Sequence, residues 1–129
     1  MLSKLYAISK PALFLADPES AHGMAIKALK SGVFPKARAS HDPAMEVTLW
    51  ERKFPNPVGL AAGFDKNAEA LIGLFNLGFG HIEAGTVTPK PQDGNPRPRV
   101  FRHPGTGSVI NRMGFPNQGA KAFKANLEK

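Results

Sequence analysis

Over the first thirty residues, apolar positions recur at the three-to-four-residue spacing of helices and are cut by polar punctuation. Leu2, Leu5, Tyr6, Ile8, Leu13 and Phe14 are apolar around Lys4 and Lys10, which predicts a short apolar helix with basic flanks over residues 2–15. Pro11 should kink or restart it, because a proline inside a helix lacks the N–H and crowds the preceding turn. At Asp17-Pro18-Glu19 a second helix has a side-chain cap, a proline preset for the first helical position and an acidic first turn. It should run to about Ser31 and stop at Gly32. The pair is a predicted helical hairpin whose spacing sets Met24, Ala25, Ala28 and Leu29 along one side.

The period then changes. Residues 33–44 read as a linker punctuated by Pro35 and Pro43, so the chain divides into 1–40 and 41–129. Val47, Leu49 and Phe54 alternate with polar neighbours on short strands, and Pro55-Asn56-Pro57 is a turn. From Val58 the order is a buried strand VGLAA, a loop GFDKN, an apolar helix AEALIGLFNLG and a second buried strand HIEAGTV. Strand, loop, helix and strand with a crossover of this length form a parallel β/α unit, so the fold class is α/β. A Pro/Gly/Asn-rich loop over residues 89–98 precedes VFRH, a GTG turn and VINRM, which read as paired strands. Asn117 should cap a last helix reaching Lys129.

Composition narrows the function classes. The 129 residues contain no cysteine, which excludes disulfides, thiolate metal sites and a Cys nucleophile and fits a reducing compartment. No metal-ligand cluster is expected. No run approaches the roughly 18 apolar residues of a membrane span, and Ser9 and Lys10 interrupt any signal-peptide core, so the expectation is neither a spanning nor a secreted protein. The net charge of +7 is concentrated in two places. Residues 1–38 carry Lys4, Lys10, Lys27, Lys30, Lys36 and Arg38 against Asp17 and Glu19, and residues 86–112 carry Lys90, Arg97, Arg99, Arg102 and Arg112 against Asp93. Such segments suit an anionic partner such as phosphate, carboxylate or an anionic bilayer surface. Nucleic acid is not expected, because the basic runs lack interleaved aromatics.

The candidate chemistry lies at strand ends, where backbone N–H groups and helix N-termini converge in β/α folds. In AAGFDKN, the small residues Ala61, Ala62 and Gly63 would let a planar or phosphorylated ligand approach the backbone, and Lys66 offers a cation. A tight turn chosen for packing fits the same string. It is not a GxGxxG fingerprint, so a Rossmann dinucleotide site is not indicated. Thr86 ends the second strand with a hydroxyl, and NRMGF (Asn111 to Phe115) adds an amide and an aromatic wall.

Taken in order, NPVGLAAGFDKN, GFGHIEAGTVTPKPQDGNPRPRVFRH and VINRMGFPNQG closely resemble the start of the barrel in quinone-dependent (class 2) dihydroorotate dehydrogenases, and DPESAH is similar to the helical extension of that class. The resemblance implies a helical hairpin followed by the first part of a (β/α)8 barrel that this chain leaves incomplete. It also implies FMN bound at Ala62, Gly63, Phe64, Asp65, Lys66 and Thr86. Dihydroorotate or orotate would meet Lys66, Asn111, Arg112, Met113, Gly114 and Phe115, while His22 and Arg102 would face a quinone pocket beneath the hairpin. A capping or surface role for His22, and a surface strand position for Arg102, are the structural alternatives.

In that family a serine on a later loop takes a proton from substrate carbon while hydride passes to the flavin, which quinone reoxidises in pyrimidine synthesis. The serine would lie beyond Lys129, so no catalytic base is expected within the chain, which reads as an N-terminal portion inactive alone. The implied location is peripheral, on the cytoplasmic side of a membrane (the inner membrane in a bacterium), where an apolar hairpin with basic flanks can lie among headgroups. Two other classes fit the same residues: a basic membrane-docking hairpin with a non-catalytic β/α attachment, and an anion-binding unit without catalysis.

Overall fold

The computed structural model describes residues 2–34, 36 and 42–129, with side chains from Tyr6 onward. The expected boundary at residues 40 and 41, Pro35 and Arg38 of the expected linker, and the side chains of Leu2, Lys4 and Leu5 lie outside what is described.

The first helix, α1 (Leu2–Leu15), continues through Pro11 without the expected restart. Ala7 and Pro11 are both exposed, so the carbonyl that loses its intrahelical donor is within reach of water. Helix α2 (Pro18–Lys30) starts as expected, with the Asp17 carboxylate accepting the Ser20 N–H at 2.8 Å and Pro18 at the first helical position. Ser31 and left-handed Gly32 (φ 73°) end it. Its buried stripe differs from the expected one: Ile26 and Leu29 go inward and Met24 is 50% exposed. The stripe is set by the contact with α3 (Leu71–Asn76), where Gly73 lets the two helices touch; a Cβ at Gly73 would stand 2.3 Å from the Leu29 carbonyl oxygen.

A short antiparallel hairpin, β1 (Val47–Leu49) with β2 (Arg52–Phe54), turns at Trp50 and Glu51, both left-handed. Next, β3 (Gly59–Leu60) and β4 (His81–Ile82) pair in parallel, Gly59 with His81 and Leu60 with Ile82. The regular strands are shorter than the apolar runs that predicted them, yet the ladder extends beyond both: Gly80 N–H reaches Val58 O and Glu83 N–H reaches Leu60 O, each at 2.9 Å. The connecting helix also starts later than expected. Ala68 is left-handed (φ 57°), and the Asp65 carboxylate takes the N–H groups of Glu69 and Ala70 at 2.9 and 2.7 Å, so residues 68–70 form a capped turn.

The paired strands β5 (Val100–His103) and β6 (Ser108–Asn111) form as expected about the turn containing Gly107. Helix α4 (Gly119–Leu127) stops short of Lys129 and has Gln118, not the expected Asn117, at its N-cap; Asn117 lies one residue upstream and its Oδ1 accepts the Gly119 N–H at 2.9 Å. Ile26 and Leu29 of α2 meet Ala70 and Leu74 around α3, with Phe34, Leu60, Phe64, Leu77, Phe79 and Ile82 packed against them. Burying a Leu or Ile side chain contributes about 1.5–3 kcal/mol. The hairpin is therefore joined to the β/α unit through a shared core.

Candidate functional site

The loop after β3 and the segment after β4 are fastened to each other at their carboxyl ends. Gly63 N–H donates to Gly85 O at 2.8 Å, and Gly85 N–H donates to Asp65 O at 3.0 Å. Above this fastening lies a cleft of about 680 Å³ lined by Ala62, Gly63, Lys66 and Thr86, by Asn111 to Phe115, and by Pro18, Glu19 and His22 of the hairpin. Three separate segments named as candidates in the sequence thus converge. Gly63 is left-handed (φ 99°), and a Cβ there would meet nothing within 4 Å, so the loop presents bare backbone to the cleft. A second cleft of about 850 Å³ lies between α2 and residues 92–97 and shares Glu19, His22, Lys66, Met113 and Pro116 with the first.

Lys66 sits where the clefts meet. Its ammonium donates to Gly63 O at 2.6 Å. Burial holds its pKa below the ordinary lysine value, Glu19 pulls it back up, Arg99 pushes it down and Asp65 raises it. Asn111 accepts the Met113 N–H on Oδ1 at 3.4 Å, which leaves its NH2 group as a donor. The NRMGF bend is held from behind: Asn95 N–H donates to Met113 O at 3.0 Å, and the Gln92 amide donates to Gly114 O at 2.9 Å. Phe115, left-handed and 63% exposed, supplies the aromatic wall.

Other candidate residues have different surroundings. The Asp65 carboxylate is buried and fully engaged with Glu69 and Ala70, so its side chain builds the loop and lines only the larger cleft. Phe64 also lines only the larger cleft; its ring meets His22 edge-on at 5.1 Å and its carbonyl oxygen lies 2.6 Å from His22 Nε2. A carbonyl only accepts, so Nε2 carries the hydrogen. The Arg112 guanidinium donates to Pro98 O at 3.1 Å. Arg102 lines neither cleft. It donates to Ala16 O at 2.8 Å and Phe14 O at 3.3 Å, with its guanidinium 4.7 Å from the Phe14 ring centroid, and so caps the carboxyl end of α1. His22 and Arg102 both lie near the turn of the hairpin but in different surroundings: His22 lines both clefts and Arg102 lines neither.

The sequence reading missed Glu19 and Asn117 as organisers. The Glu19 carboxylate receives the Arg99 side chain through Nε, at 3.2 and 3.0 Å to its two oxygens, and through Nη2, while Arg97 adds a bond at 3.1 Å. Arg99 is buried and also donates to Asp93 O and Asn95 O, at 2.5 and 3.0 Å. These guanidinium bonds, chiefly from Arg99, hold the Glu19 pKa below the ordinary carboxylate value against the opposing effect of burial. The signal available in the sequence was an acid in a helix's first turn and a run of arginines far along the chain; nothing local paired them. Buried Asn117 bonds Thr88, Phe115 O and Gly119 N–H, locking the loop after β4 to α4.

The family model for dihydroorotate dehydrogenase matches residues 44–129. The dihydroorotate dehydrogenase (quinone) of Azorhizobium caulinodans is 53% identical over 125 residues, covering 97% of this chain and 35% of the relative. That of Rhodospirillum rubrum is 55% identical over 122 residues, covering 95% of this chain and 33% of the relative. Among solved structures, DHODH from Eimeria tenella in complex with ferulenol superposes with a TM-score of 0.82 at 46% identity, over 87% of this chain and 30% of that one. This chain thus spans about a third of the length of those curated relatives. The matched segment includes the parallel β/α unit, both strand-terminal loops and the NRMGF bend, and the chain belongs to the dihydroorotate dehydrogenase family.

Proposed function

We propose that the cleft above β3 and β4 holds FMN and dihydroorotate, and that this chain forms part of an enzyme that oxidises dihydroorotate to orotate in pyrimidine synthesis with quinone as the electron acceptor. The observation that carries this reading is the convergence of Ala62, Gly63, Lys66, Thr86 and Asn111 to Phe115 on one cleft, in a chain more than 50% identical to the quinone-dependent relatives. The residues present fit a flavin. Bare backbone at Gly63 suits a ring lying flat against it, and Thr86 and Lys66 supply a hydroxyl and a cation at its edge.

A bound flavin supplies the hydride acceptor; this chain supplies position and charge. Lys66 would neutralise the substrate carboxylate or a flavin oxygen, the Asn111 NH2 would donate to a substrate carbonyl, and Phe115 would cover the ring. Neither His22 nor Lys66 is poised to take a proton from carbon, since both donate to backbone carbonyls. That step is assigned to a residue outside these loops. Amide NMR of the labelled 129-residue chain with FMN, and separately with orotate, tests the site. Shifts should concentrate at residues 62–66, 86 and 111–115; none at saturation, or shifts confined to the Trp50 hairpin, would overturn it.

The hairpin is read as a membrane-facing quinone entrance. Ile8 and Leu15 of α1 are 79% and 91% exposed, and Tyr6, Phe14 and Met24 are also exposed, beside Lys10 and Lys27. Among the described residues no helix is long and apolar enough to cross a membrane, so contact would be peripheral. A free-standing docking module is less favoured, because α2 contributes Ile26 and Leu29 to the core shared with α3.

A further inference from the structure

The NRMGF bend takes its shape from a loop that does not itself line the smaller cleft. Gln92 and Asn95, in the loop after β4, between them hold four successive carbonyl oxygens of the bend. The Asn95 side-chain amide donates to Arg112 O at 2.7 Å and its backbone N–H to Met113 O at 3.0 Å; the Gln92 amide donates to Gly114 O at 2.9 Å and to Phe115 O at 3.4 Å. Two glycines permit the approach: a Cβ on Gly94 would run into Met113 O, and one on Gly114 would stand 2.8 Å from the Asn95 nitrogen. The loop is anchored in turn on both sides. Gln92 N–H and O exchange hydrogen bonds with the Asn117 backbone, each at 2.9 Å, and Arg99, clamped by Glu19, donates to Asp93 O and Asn95 O.

These bonds select an unusual backbone. Gly114 and Phe115 are both left-handed, at φ 71° and 56°, a conformation that a phenylalanine rarely adopts. Across a trans peptide the C=O and the following N–H point in opposite directions. With Met113 O and Gly114 O turned onto residues 92–95, the N–H groups of Gly114 and Phe115 point away from that loop, and neither makes a hydrogen bond among the described residues.

We propose that Gln92 and Asn95 are positioning residues for the ligand cleft: by gripping the carbonyl side of residues 112–115 they hold Phe115 left-handed and keep the donor side of the bend toward the ligand. The inference rests on the reading of Asn111 to Phe115 as a ligand wall, but its first test needs no ligand and fails separately from that reading.

In the 129-residue protein, the intraresidue HN–Hα NOE and the one-bond Cα–Hα coupling of Phe115 report its left-handed backbone. Gln92→Met keeps the length of the side chain and removes its donor. Because Gln92 is exposed, the urea midpoint should match the parent's. The left-handed signature of Phe115 should nevertheless be lost, and orotate should bind about tenfold more weakly, the cost of one misaimed hydrogen bond to an anion. Gln92→Lys restores a donor at similar reach and should recover the signature, which a merely space-filling role would not require. A folded Gln92→Met that keeps the signature, that loses it only together with global stability, or that loses it while binding orotate as the parent does, overturns the proposal. Should Gln92→Met not fold, Asn95→Leu decides by the same Phe115 signature: its loss supports the proposal and its persistence overturns it. A parent chain that binds no orotate would remove the ligand reading of the cleft, while the Phe115 signature would still decide what Gln92 and Asn95 hold in place.

Discussion

The two basic segments, residues 1–38 and 86–112, have the same excess of positive charge in the sequence and opposite fates in the structure. Four of the five basic residues in the second are arginines, and each is used internally: Arg97 and Arg99 on Glu19, Arg102 on the last carbonyls of α1, and Arg112 on Pro98 O. The first is mostly lysine. Lys10, Lys27 and Lys36 remain exposed, and Lys30 makes only a surface pair with Glu69. The difference is chemical. A guanidinium is a planar fork of five donors that can satisfy several carbonyl or carboxylate oxygens at once, whereas an ammonium is a strongly hydrated point charge that loses more by leaving water. Net charge therefore overstates how much of this chain is available to an anionic partner, and residue type shows which part is.

The sharpest way to break the comparison is to remove the most deeply used arginine. Arg99→Ala should destabilise the protein by about 3–5 kcal/mol, because it strands a largely buried Glu19 and two backbone carbonyls. Urea unfolding reads this directly, and a loss under 1 kcal/mol would mean the clamp is ornamental. The same pair predicts acid sensitivity. Because the folded pKa of Glu19 is depressed, its contribution is fully present above the ordinary value of 4.5 and is lost as pH falls through the lower, folded value. Glu19→Gln should flatten that part of the stability curve.

Lys66 is an informative exception, a lysine drawn into a cleft without a forked partner. Lys66→Ala should weaken FMN or orotate binding by roughly 1.5–3 kcal/mol, the usual worth of a charged hydrogen bond, with little loss of stability. Equal binding by the variant would remove it from the site. Next in size, Arg102→Ala should cost roughly 1–2 kcal/mol through the lost helix cap and cation–π contact with Phe14. Hydrogen exchange should quicken in α1 before anywhere else, and Arg102→Lys should recover little of it.

These side-chain fates explain what the sequence could and could not tell. The Asp17-Pro18 start, the stop at Gly32, the β5–β6 pairing and the crossover of the β/α unit were legible because each is decided by neighbours in the chain. So were the loops that meet at the candidate cleft, since AAGFDKN and NRMGF are contiguous strings. What was illegible depends on distant partners. The inward face of α2 is chosen by Gly73 on another helix, and no local pattern announces that the Asp65 carboxylate is engaged by the Glu69 and Ala70 N–H groups. The uninterrupted passage of α1 through Pro11 depends on exposure, which local propensity does not contain. Glu19 and Arg99 are 80 residues apart. Periodicity offers no way to match them.

The smallest effect on stability should come from the lysines, and it sharpens the comparison most. Lys10 on α1 is exposed, and its ammonium stands 5.4 Å from the Phe14 ring centroid. Lys10→Gln should change unfolding stability by no more than about 0.5 kcal/mol, as for surface substitutions in general. If the hairpin lies on an anionic bilayer, the same substitution should weaken binding to vesicles containing anionic lipid by about 1 kcal/mol, close to fivefold. The loss should vanish on zwitterionic vesicles and shrink as salt screens the surface. Lys10→Arg should bind as the parent does, since the surface reads charge rather than fork geometry. A Lys10→Gln variant that loses stability while binding vesicles normally would reverse the assignment for Lys10, making it structural like the arginines of the second segment and leaving membrane contact to Lys27 and the exposed apolar residues of the hairpin.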